Sequence, residues 1–329
     1  MPNTYKTKIP IMPVAYLHEH PEFKALLQIV AEEKNILPVL IEKDYWIMHV
    51  LYGLTKGGYI FELKGGTSLS KGYGIIHRFS EDIDIHITPP PGMGVAEERN
   101  KLKEGQIKGR NEFYDFLVSN IKIDGIVSLA RDTSFDDTKY YFSGGIRLHY
   151  NSLFDTVAGI KDGILLETGF DKVTPFERKT ISSWAYEKAA SIESIQIIDN
   201  RAIDIACYDP GYTFVEKLQT IARMFRQEQV EQKGEKPNLM RQYYDVYSLL
   251  NIERVLAFID TKKYKEYKIV KFKKDLDIPI QENEAFLLSD PTLREQFKAR
   301  YEATSALYYN GQPPFEELLE RLHSQLHRL

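Results

Sequence analysis

The chain has 329 residues, a formal net charge of −4 and one cysteine, Cys207. This length is sufficient for one large domain or two medium ones, and so small a net charge gives no indication of wholesale binding to a polyanion. A single cysteine excludes an internal disulfide and a zinc site built from several cysteines. Because the chain has no apolar run of about 18 residues and its N-terminus lacks the apolar core of a signal peptide, we expect a cytoplasmic protein without a membrane span.

The first part of the chain predicts an irregular arm and two helices. Residues 1–20 are polar and interrupted by prolines, which is typical of an arm without regular structure. From Pro21 to Leu54 the spacing of apolar residues predicts two amphipathic helices, and Pro38 marks the start of the second. The second helix combines a few charged residues with a strongly apolar remainder, so we expect it to pack on a sheet.

The stretch from Tyr59 to Ile87 predicts a strand, a glycine turn, a short helix and a second strand. Gly65 and Gly66 let the backbone approach a ligand closely, and a helix that begins at Thr67 would present free N–H groups and its positive dipole end. With the hydroxyls of Thr67 and Ser68, this arrangement suits a triphosphate. The alternative is an ordinary strand-to-helix turn that happens to use glycine.

Two aspartates, Asp82 and Asp84, lie one residue apart in the second strand of this stretch. Side chains alternate along a strand, so both carboxylates face one side while the intervening isoleucines face the other. Like charges at this spacing repel each other, and a divalent metal is the usual reason for such a pair. Mg²⁺ takes one or two protein carboxylates and fills its other positions with phosphate oxygens and water, which the neighbouring glycine turn would supply.

Further strands follow before residue 200. Residues 95–122 predict a charged helix, and strands are predicted over Ile123–Ala130, Tyr140–Tyr150 and Gly163–Phe170. Strands outnumber helices in this part, so the fold class that we predict is α+β with a mixed or antiparallel sheet. We place this domain at residues 1–200 and a helical C-terminal domain at residues 201–329.

Glu167 is the best candidate for a third carboxylate. It lies within the apolar run ILLETGF, where a charged side chain needs a partner or a purpose. Two-metal phosphoryl transfer uses a third carboxylate that can also activate the attacking hydroxyl. The alternative is an edge strand whose glutamate faces water. Asp155, Asp162 and Asp171 lie in predicted loops and are weaker candidates.

The C-terminal part predicts amphipathic helices over TFVEKLQTIARMFRQEQ and NLMRQYYDVYSLLNI, and two or three more between residues 284 and 329. Lys217 borders the apolar stripe of the first, from which its ammonium reaches either a phosphate or water. Arg241 and Asp245 lie four residues apart on one face of the second. They form either a surface ion pair or a buried pair in which both charges have a use.

Residues 262–274 contain seven lysines and one glutamate, with aromatic residues between them. This composition is typical of a surface that contacts RNA, although a solvated charged face has the same composition. One alternative for the whole chain is therefore a binding module without catalytic activity. In that case the aspartate pair is structural and the lysine-rich segment binds RNA.

Taken in order, these segments resemble the AbiEii/AbiGii-type nucleotidyltransferase toxins of the DNA polymerase β-like superfamily. LKGGTSLSK followed by RFSEDIDI is similar to the first motif of that family, and the strand with Glu167 takes the place of its third acidic position. FVEKLQTI and RQYYDVYSLL are similar to its two C-terminal motifs, and YYNGQPPFEELLERL is similar to family C-termini. The resemblance covers most of residues 40–329 and implies a nucleotidyltransferase-type mixed sheet flanked by helices.

The resemblance also implies roles for individual residues. The catalytic side chains that it implies are Asp82, Asp84, Glu167, Lys217 and Asp245. The first three of these would bind Mg²⁺ or Mn²⁺. The nucleotide-binding residues that it implies are Gly65, Gly66, Thr67, Ser68, Lys217, Arg241 and Asp245. The four residues of the glycine turn would hold the β- and γ-phosphates of an NTP, Lys217 would neutralise the triphosphate, and Asp245 would complete the site.

Characterised members of this family act as toxins on bacteria or on phage-infected cells, in toxin–antitoxin or abortive-infection systems. Some add nucleotides to the 3′ end of tRNA, and an antitoxin usually controls them. The resemblance therefore implies transfer of a nucleoside monophosphate from an NTP such as ATP, GTP or CTP to an acceptor hydroxyl, with RNA as the expected acceptor and phage defence as the setting. Transfer of the γ-phosphoryl group on the same scaffold is the alternative activity.

Overall fold

The computed structural model describes residues 14–155, 157, 160–171, 173–272 and 278–329. The strands are β1 (Phe61–Lys64), β2 (Asp82–Ile87), β3 (Ile126–Arg131), β4 (Ser143–Tyr150), β5 (Ile164–Gly169), β6 (Phe176–Ile181) and β7 (Ala202–Tyr208). They form one sheet in the order β3-β4-β5-β2-β1-β7-β6. The β2–β5 and β1–β7 pairs are parallel and the others are antiparallel, so the mixed sheet predicted from the sequence is confirmed.

Helices cover the sheet and make up the C-terminal part. The first five are α1 (Phe23–Lys34), α2 (Pro38–Lys56), the single turn α3 (Gly65–Thr67), α4 (Glu104–Asn120) and α5 (Trp184–Ala190). The others are α6 (Pro210–Phe225), α7 (Leu239–Leu250), α8 (Glu253–Phe258), α9 (Lys262–Phe272), α10 (Glu284–Leu287), α11 (Pro291–Glu302) and α12 (Phe315–Gln325). Within the described ranges, none of these helices is long and apolar enough to cross a membrane.

Helix α2 is buried between the sheet and other helices, and this explains its apolar sequence. It contacts α1, α5, β5 and β7. Three consecutive charged residues, Glu42, Lys43 and Asp44, are also buried in it, at 0, 2 and 2% exposure. Buried charges need partners, and each of these three contacts a segment that leads to the sheet. Asp44, for example, lies 2.6 Å from the Lys71 ammonium.

The change from sheet to helices occurs directly after β7. The Asp209 carboxylate accepts hydrogen bonds from the backbone N–H groups of Gly211 and Tyr212, and Pro210 occupies the first turn of α6. An aspartate cap followed by proline is a strong start signal for a helix, so α6 begins abruptly at the end of the strand. The last strand therefore lies just beyond residue 200, and the α+β class with a helical C-terminal region is confirmed.

The elements that the sequence analysis did not predict are α5, β6, β7, α8 and α9. Strand β6, with the sequence FERKTI, is an edge strand in which only Ile181 is fully buried, so it lacks the apolar run of an inner strand. Of the predicted arm, residues 1–13 lie outside the described residues. The remainder includes a one-residue bridge between Ala15 and Ile197 and the short 3₁₀ helix Leu17–Glu19.

A buried ion cluster joins the sheet to the C-terminal helices. Arg78, before β2, donates from Nε to Asp245 Oδ1 and from Nη2 to Asp245 Oδ2, both at 2.7 Å. The Lys217 ammonium of α6 lies 2.9 Å from the same Oδ2. Burial alone would raise the pKa of Asp245, but the charges of Arg78 and Lys217 outweigh it and lower the pKa. Asp245 is thus ionised and bonded at both oxygens.

We predict that Asp245→Asn lowers the free energy of unfolding by about 3–5 kcal/mol, because it leaves the buried Arg78 charge without its partner. Denaturant unfolding measures this loss. Asp115→Asn is the matched control, since Asp115 also pairs with an arginine, Arg131, at 2.7 Å but its side chain is 59% exposed. We expect the control to cost less than about 1 kcal/mol. Equal losses in the two variants would show that the buried cluster does not stabilise the junction.

Candidate functional site

Three charged residues form a row across three neighbouring strands. In the strand registers Lys64 of β1 pairs with Asp84 of β2, and Asp84 pairs with Glu167 of β5. Residues paired across strands face the same side of a sheet, and Asp82 lies on that side two residues before Asp84. The intervening Ile83 is fully buried on the opposite face. The structure thus brings Asp82, Asp84 and Glu167 to one face, together with a lysine that the sequence analysis did not single out.

The carboxylates of this row are poorly solvated and close to one another. Burial raises the pKa of Asp84, and Asp82 adds to the shift while Lys64 opposes it. Burial and the charge of Asp84 raise the pKa of Glu167 to about 7. For Lys64, burial would lower the pKa, but the surrounding carboxylates, led by Glu216 and Asp84, outweigh it and raise the pKa. Burial is the main cause of the raised pKa values of Asp84 and Glu167, and a bound cation would stabilise the ionised form of both carboxylates.

The glycine turn lies directly against the Asp84 carboxylate. Gly65 has a φ of +70°, and a Cβ added to it would stand 2.0 Å from Asp84 Oδ2. A side chain at this position would occupy the place of the carboxylate, so glycine is required both for the backbone conformation and for the close approach. Helix α3 begins at Gly65, two residues before the start predicted at Thr67.

The other residues of the turn have different surroundings. A Cβ at Gly66 would stand 2.5 Å from Ser80 Oγ, so this position is also closely packed. Thr67 Oγ1 donates to the Asp82 carbonyl at 2.7 Å, and its hydroxyl therefore holds the start of β2. Ser68 is fully buried, and its hydroxyl lies beside the thiol of Cys207, where it opposes the rise in pKa that burial causes in that thiol. Both hydroxyls therefore face the interior, and the turn presents its backbone to a ligand.

Lys217 enters the site from the helical half. Its ammonium donates to Gln242 Oε1 at 2.9 Å and lies at the same distance from Asp245 Oδ2. The charge of Lys217 also acts on Asp84, where it opposes the rise in pKa that burial causes. Asp245 itself is fully buried, with both oxygens bonded. It therefore positions Lys217 and Arg78 and has no free oxygen for a nucleotide.

Arg241 and Asp245 do not form the ion pair that their spacing suggests. Arg241 Nη2 instead lies 3.7 Å from Glu81 Oε1, because Arg78 and Lys217 already occupy the Asp245 carboxylate. Arg241 Nε is buried and has no hydrogen-bond partner in the described part of the chain. The arginine thus lies near the start of β2, and its side chain is only 19% exposed.

The weaker acidic candidates are not part of this row, although Asp171 is close enough to Lys64 for their charges to interact. Asp155 is exposed. Asp162 is 79% exposed and lies 3.2 Å from His149 Nδ1. Asp171 is paired with Arg99, and its other oxygen lies 3.9 Å from Lys271. None of the three shares the register of Asp84 and Glu167.

The lysine-rich helix α9 is connected to the site. Lys271 lies 2.6 Å from Glu216 Oε1, which also accepts a hydrogen bond from Tyr267 at 2.8 Å. Glu216 directly precedes Lys217 on α6. The first lysine of the helix, Lys262, is 88% exposed. The last two lysines of the predicted RNA-contacting segment, at positions 273 and 274, lie outside the described residues.

The residues of the row fit a hard divalent cation. Asp82 Oδ1 is buried and has no hydrogen-bond partner among the described residues, while its Oδ2 lies 2.6 Å from the Lys161 ammonium. Across the described ranges no three His, Cys, Asp or Glu side chains converge as a complete metal site. Two or three carboxylates beside a glycine turn are the donor set that Mg²⁺ or Mn²⁺ takes when phosphate oxygens and water complete its coordination.

Three cations of the site were not predicted, namely Lys64, Arg78 and Lys161. Lys64 directly precedes the glycine pair, and pairing the two predicted strands in antiparallel register would have placed it beside Asp84. Arg78 and Lys161 lie in irregular segments, where no periodicity indicates the direction of a side chain.

Comparison with known proteins gives a family and one distant structure. The model of the family described as "Nucleotidyl transferase AbiEii toxin, Type IV TA system" matches residues 49–321. No curated protein matches the chain. Among solved structures, the chain is similar to an antigenic nucleotidyltransferase-like protein from Paracoccidioides brasiliensis, with 12% identity and a TM-score of 0.37 over 82% of this chain and 98% of that chain.

We predict that Gly65→Ala displaces the Asp84 carboxylate and strongly weakens binding of Mn²⁺. Gly74→Ala is the matched control, because Gly74 has a similar φ of +64° and an added Cβ would meet no described atom within 4 Å. Both variants should lose about 1–2 kcal/mol of stability from backbone strain, but only Gly65→Ala should lose metal. Unfolding curves and Mn²⁺ titrations measure the two effects. Loss of metal in both variants would refute the steric argument.

A second prediction concerns pH and the metal-free protein. The pKa of Glu167 is raised from 4.5 to about 7, so the folded state holds this proton more tightly than the unfolded state. Protonated Glu167 therefore contributes stability that is fully present at pH values below the pKa of this glutamate in the unfolded state. This contribution is lost as the pH rises to about 7. In EDTA, the denaturation midpoint of the wild type should fall relative to Glu167→Gln between about pH 5 and 8. If the denaturation midpoints of the two proteins change with pH in the same way, the pH dependence does not come from Glu167.

Proposed function

The chain belongs to the AbiEii nucleotidyl transferase toxin family, and from this premise we propose that it transfers a nucleoside monophosphate from an NTP to an acceptor hydroxyl with the help of Mg²⁺ or Mn²⁺. We propose RNA as the acceptor, with the 3′ end of tRNA as the first candidate, and an antitoxin as the partner that controls the activity. The chain would act as the toxin of a defence system in the cytoplasm.

The observation that carries this proposal is the alignment of Asp84 and Glu167 in register on adjacent parallel strands, with the Gly65 turn against Asp84. Two carboxylates beside a backbone turn with free N–H groups supply a metal-binding edge and a phosphate-binding edge next to each other. Lys217 adds a cation from the opposite side. This combination is suited to a triphosphate and has no evident structural purpose.

The proposed roles follow from these positions. Asp82, Asp84 and Glu167 would hold the metal, which supplies charge neutralisation at the reacting phosphate. Glu167 would also accept the proton of the acceptor hydroxyl as that oxygen attacks. The acceptor oxygen forms its bond to the α-phosphorus as the bond from that phosphorus to the pyrophosphate oxygen breaks. Lys217 would stabilise the charge that develops on the leaving pyrophosphate.

Positioning is the main task of the protein in such a reaction, because phosphoryl-type transfer needs little covalent assistance. The contacts of Lys217 with Asp245 and Gln242 hold its ammonium in one direction, so little reorganisation is required when the substrate binds. The exposed lysines of α9 support RNA as the acceptor, because this helix lies near Lys217. Its Lys271 forms an ion pair with Glu216, the residue that directly precedes Lys217. Phosphate contacts of this kind give affinity without sequence selection.

We expect RNA to become labelled when the protein is incubated with Mg²⁺, total tRNA and one of the four NTPs labelled at the α-phosphate. Asp84→Asn should reduce transfer by more than about a hundredfold, since even outer-shell partners of metal ligands are worth about 10- to 100-fold. Asp162→Asn is the control, because Asp162 is 79% exposed and outside the row.

Labels at the γ-phosphate distinguish the alternative activity. Transfer of a γ-label without an α-label would indicate a kinase-like reaction and would contradict the proposal. Failure of the folded protein to transfer either label with all four NTPs would also contradict it. A protein that only binds RNA would show an affinity that is indifferent to Mg²⁺ and to Asp84→Asn but steeply dependent on salt.

A further inference from the structure

Lys161 lies in the loop before β5 and its side chain contacts the first aspartate of the site. The Lys161 ammonium is 2.6 Å from Asp82 Oδ2, and the two side chains are 33 and 27% exposed. The pair is therefore partly exposed, so that a ligand can reach it. It occupies one oxygen of a residue whose other oxygen, Oδ1, is buried and unpartnered within the described residues.

The backbone of Lys161 is held in place by a buried ion pair. Its N–H donates to Glu81 Oε2 at 3.1 Å, and its carbonyl accepts from Lys43 Nζ at 2.5 Å. Lys43 and Glu81 are each 2% exposed at their side chains and lie 3.4 Å apart. Glu81 also lies 3.7 Å from Arg241 of α7. One buried carboxylate thus connects α2, the Lys161 loop and the helical half.

Burial of the Lys43–Glu81 pair costs desolvation free energy, which suggests that the position of Lys161 matters for function. Removing two charges from water is expensive, and the attraction between them compensates only when their remaining hydrogen-bonding groups are used. Here both members of the pair bond the backbone of the same residue. The arrangement fixes the backbone of Lys161, and from this point its four-carbon side chain reaches Asp82. A fixed backbone with a long side chain is suited to an ammonium that pairs with two different partners in turn.

On the basis of the proposed function, we propose that Lys161 is a further site residue that exchanges partners. It neutralises Asp82 when no nucleotide is bound, and it pairs with the triphosphate when an NTP enters together with its metal. Thr67 donates to the Asp82 carbonyl, so the proposed phosphate-binding turn is adjacent to Asp82, whose carboxylate Lys161 contacts. The Lys161 ammonium therefore weakens the binding of a free metal ion and strengthens the binding of a metal–nucleotide complex.

The two effects have opposite signs because the charges of the ligands differ. A free divalent cation meets the positive charge of Lys161 and must also displace it from Asp82. A triphosphate brings several negative charges and gives the displaced ammonium a new partner. The site would thus bind metal weakly by itself and well together with an NTP. Lys161 would thus favour the NTP with its bound metal over the metal ion alone.

Lys161→Met tests the proposal, because it retains most of the side-chain length and removes the charge. Without nucleotide, we expect the variant to bind Mn²⁺ about tenfold more tightly than the wild type, as measured by electron paramagnetic resonance of free Mn²⁺. In the presence of Mn²⁺, we expect it to bind a non-hydrolysable NTP analogue about tenfold more weakly, as measured by calorimetry. Lys161→Arg keeps the charge and should retain the wild-type order of both affinities.

Lys108→Met is the matched control, since Lys108 is 73% exposed and its ion pair is with Glu112 of its own helix. It should change neither affinity. Weakening of both metal and nucleotide binding by Lys161→Met would indicate a loosened loop and would overturn the exchange of partners. Unchanged Mn²⁺ affinity would overturn it as well. If the wild type and the variant both fail to bind Mn²⁺ with or without the analogue, the proposed function itself is refuted, which is a distinguishable result.

Discussion

The geometry of the site depends on the bidentate pair of Arg78 and Asp245. Arg78 comes from the segment before β2 and Asp245 from α7, so their two parallel hydrogen bonds set both the distance and the angle between the sheet and the helical half. Lys217 binds the same carboxylate and is directed toward Asp84 by it. If this contact were lost, the carboxylates would remain on the sheet but the cation opposite them would have no defined position.

Charge balance is the second constraint on this face of the molecule. Asp82, Asp84 and Glu167 are compensated by lysines from three different segments, and each lysine is held in a different way. Lys64 is fixed by strand register, Lys217 by Asp245 and Gln242, and Lys161 by a backbone anchor. The carboxylates thus stay in place without a metal, although burial still raises the pKa of Asp84 and of Glu167.

Much of this site could be predicted from the sequence, because its carboxylates obey local rules. The alternation of β2 is sufficient to place Asp82 and Asp84 on one face, and a charged residue in an apolar strand is sufficient to single out Glu167. The cations were harder to find. The partner of Asp245 is Arg78, more than a hundred and sixty positions earlier, and spacing along α7 suggested Arg241 instead. Long-range pairing between irregular segments leaves no periodic signal in a sequence.

The register between β2 and β5 also restricts how such a chain can change in length. Asp84 and Glu167 are brought together by strand pairing alone, although two strands and a long helix separate them in the chain. Insertions in the connecting loops therefore leave the two carboxylates in place. A single-residue insertion within β5 before Glu167 would turn this side chain to the opposite face of the sheet. An insertion of two would restore its face but move it about 6.6 Å along the strand, out of register with Asp84. Strands β2 and β5 therefore tolerate no change in length between their paired ends and these two residues, whereas the loops that connect the strands can change in length.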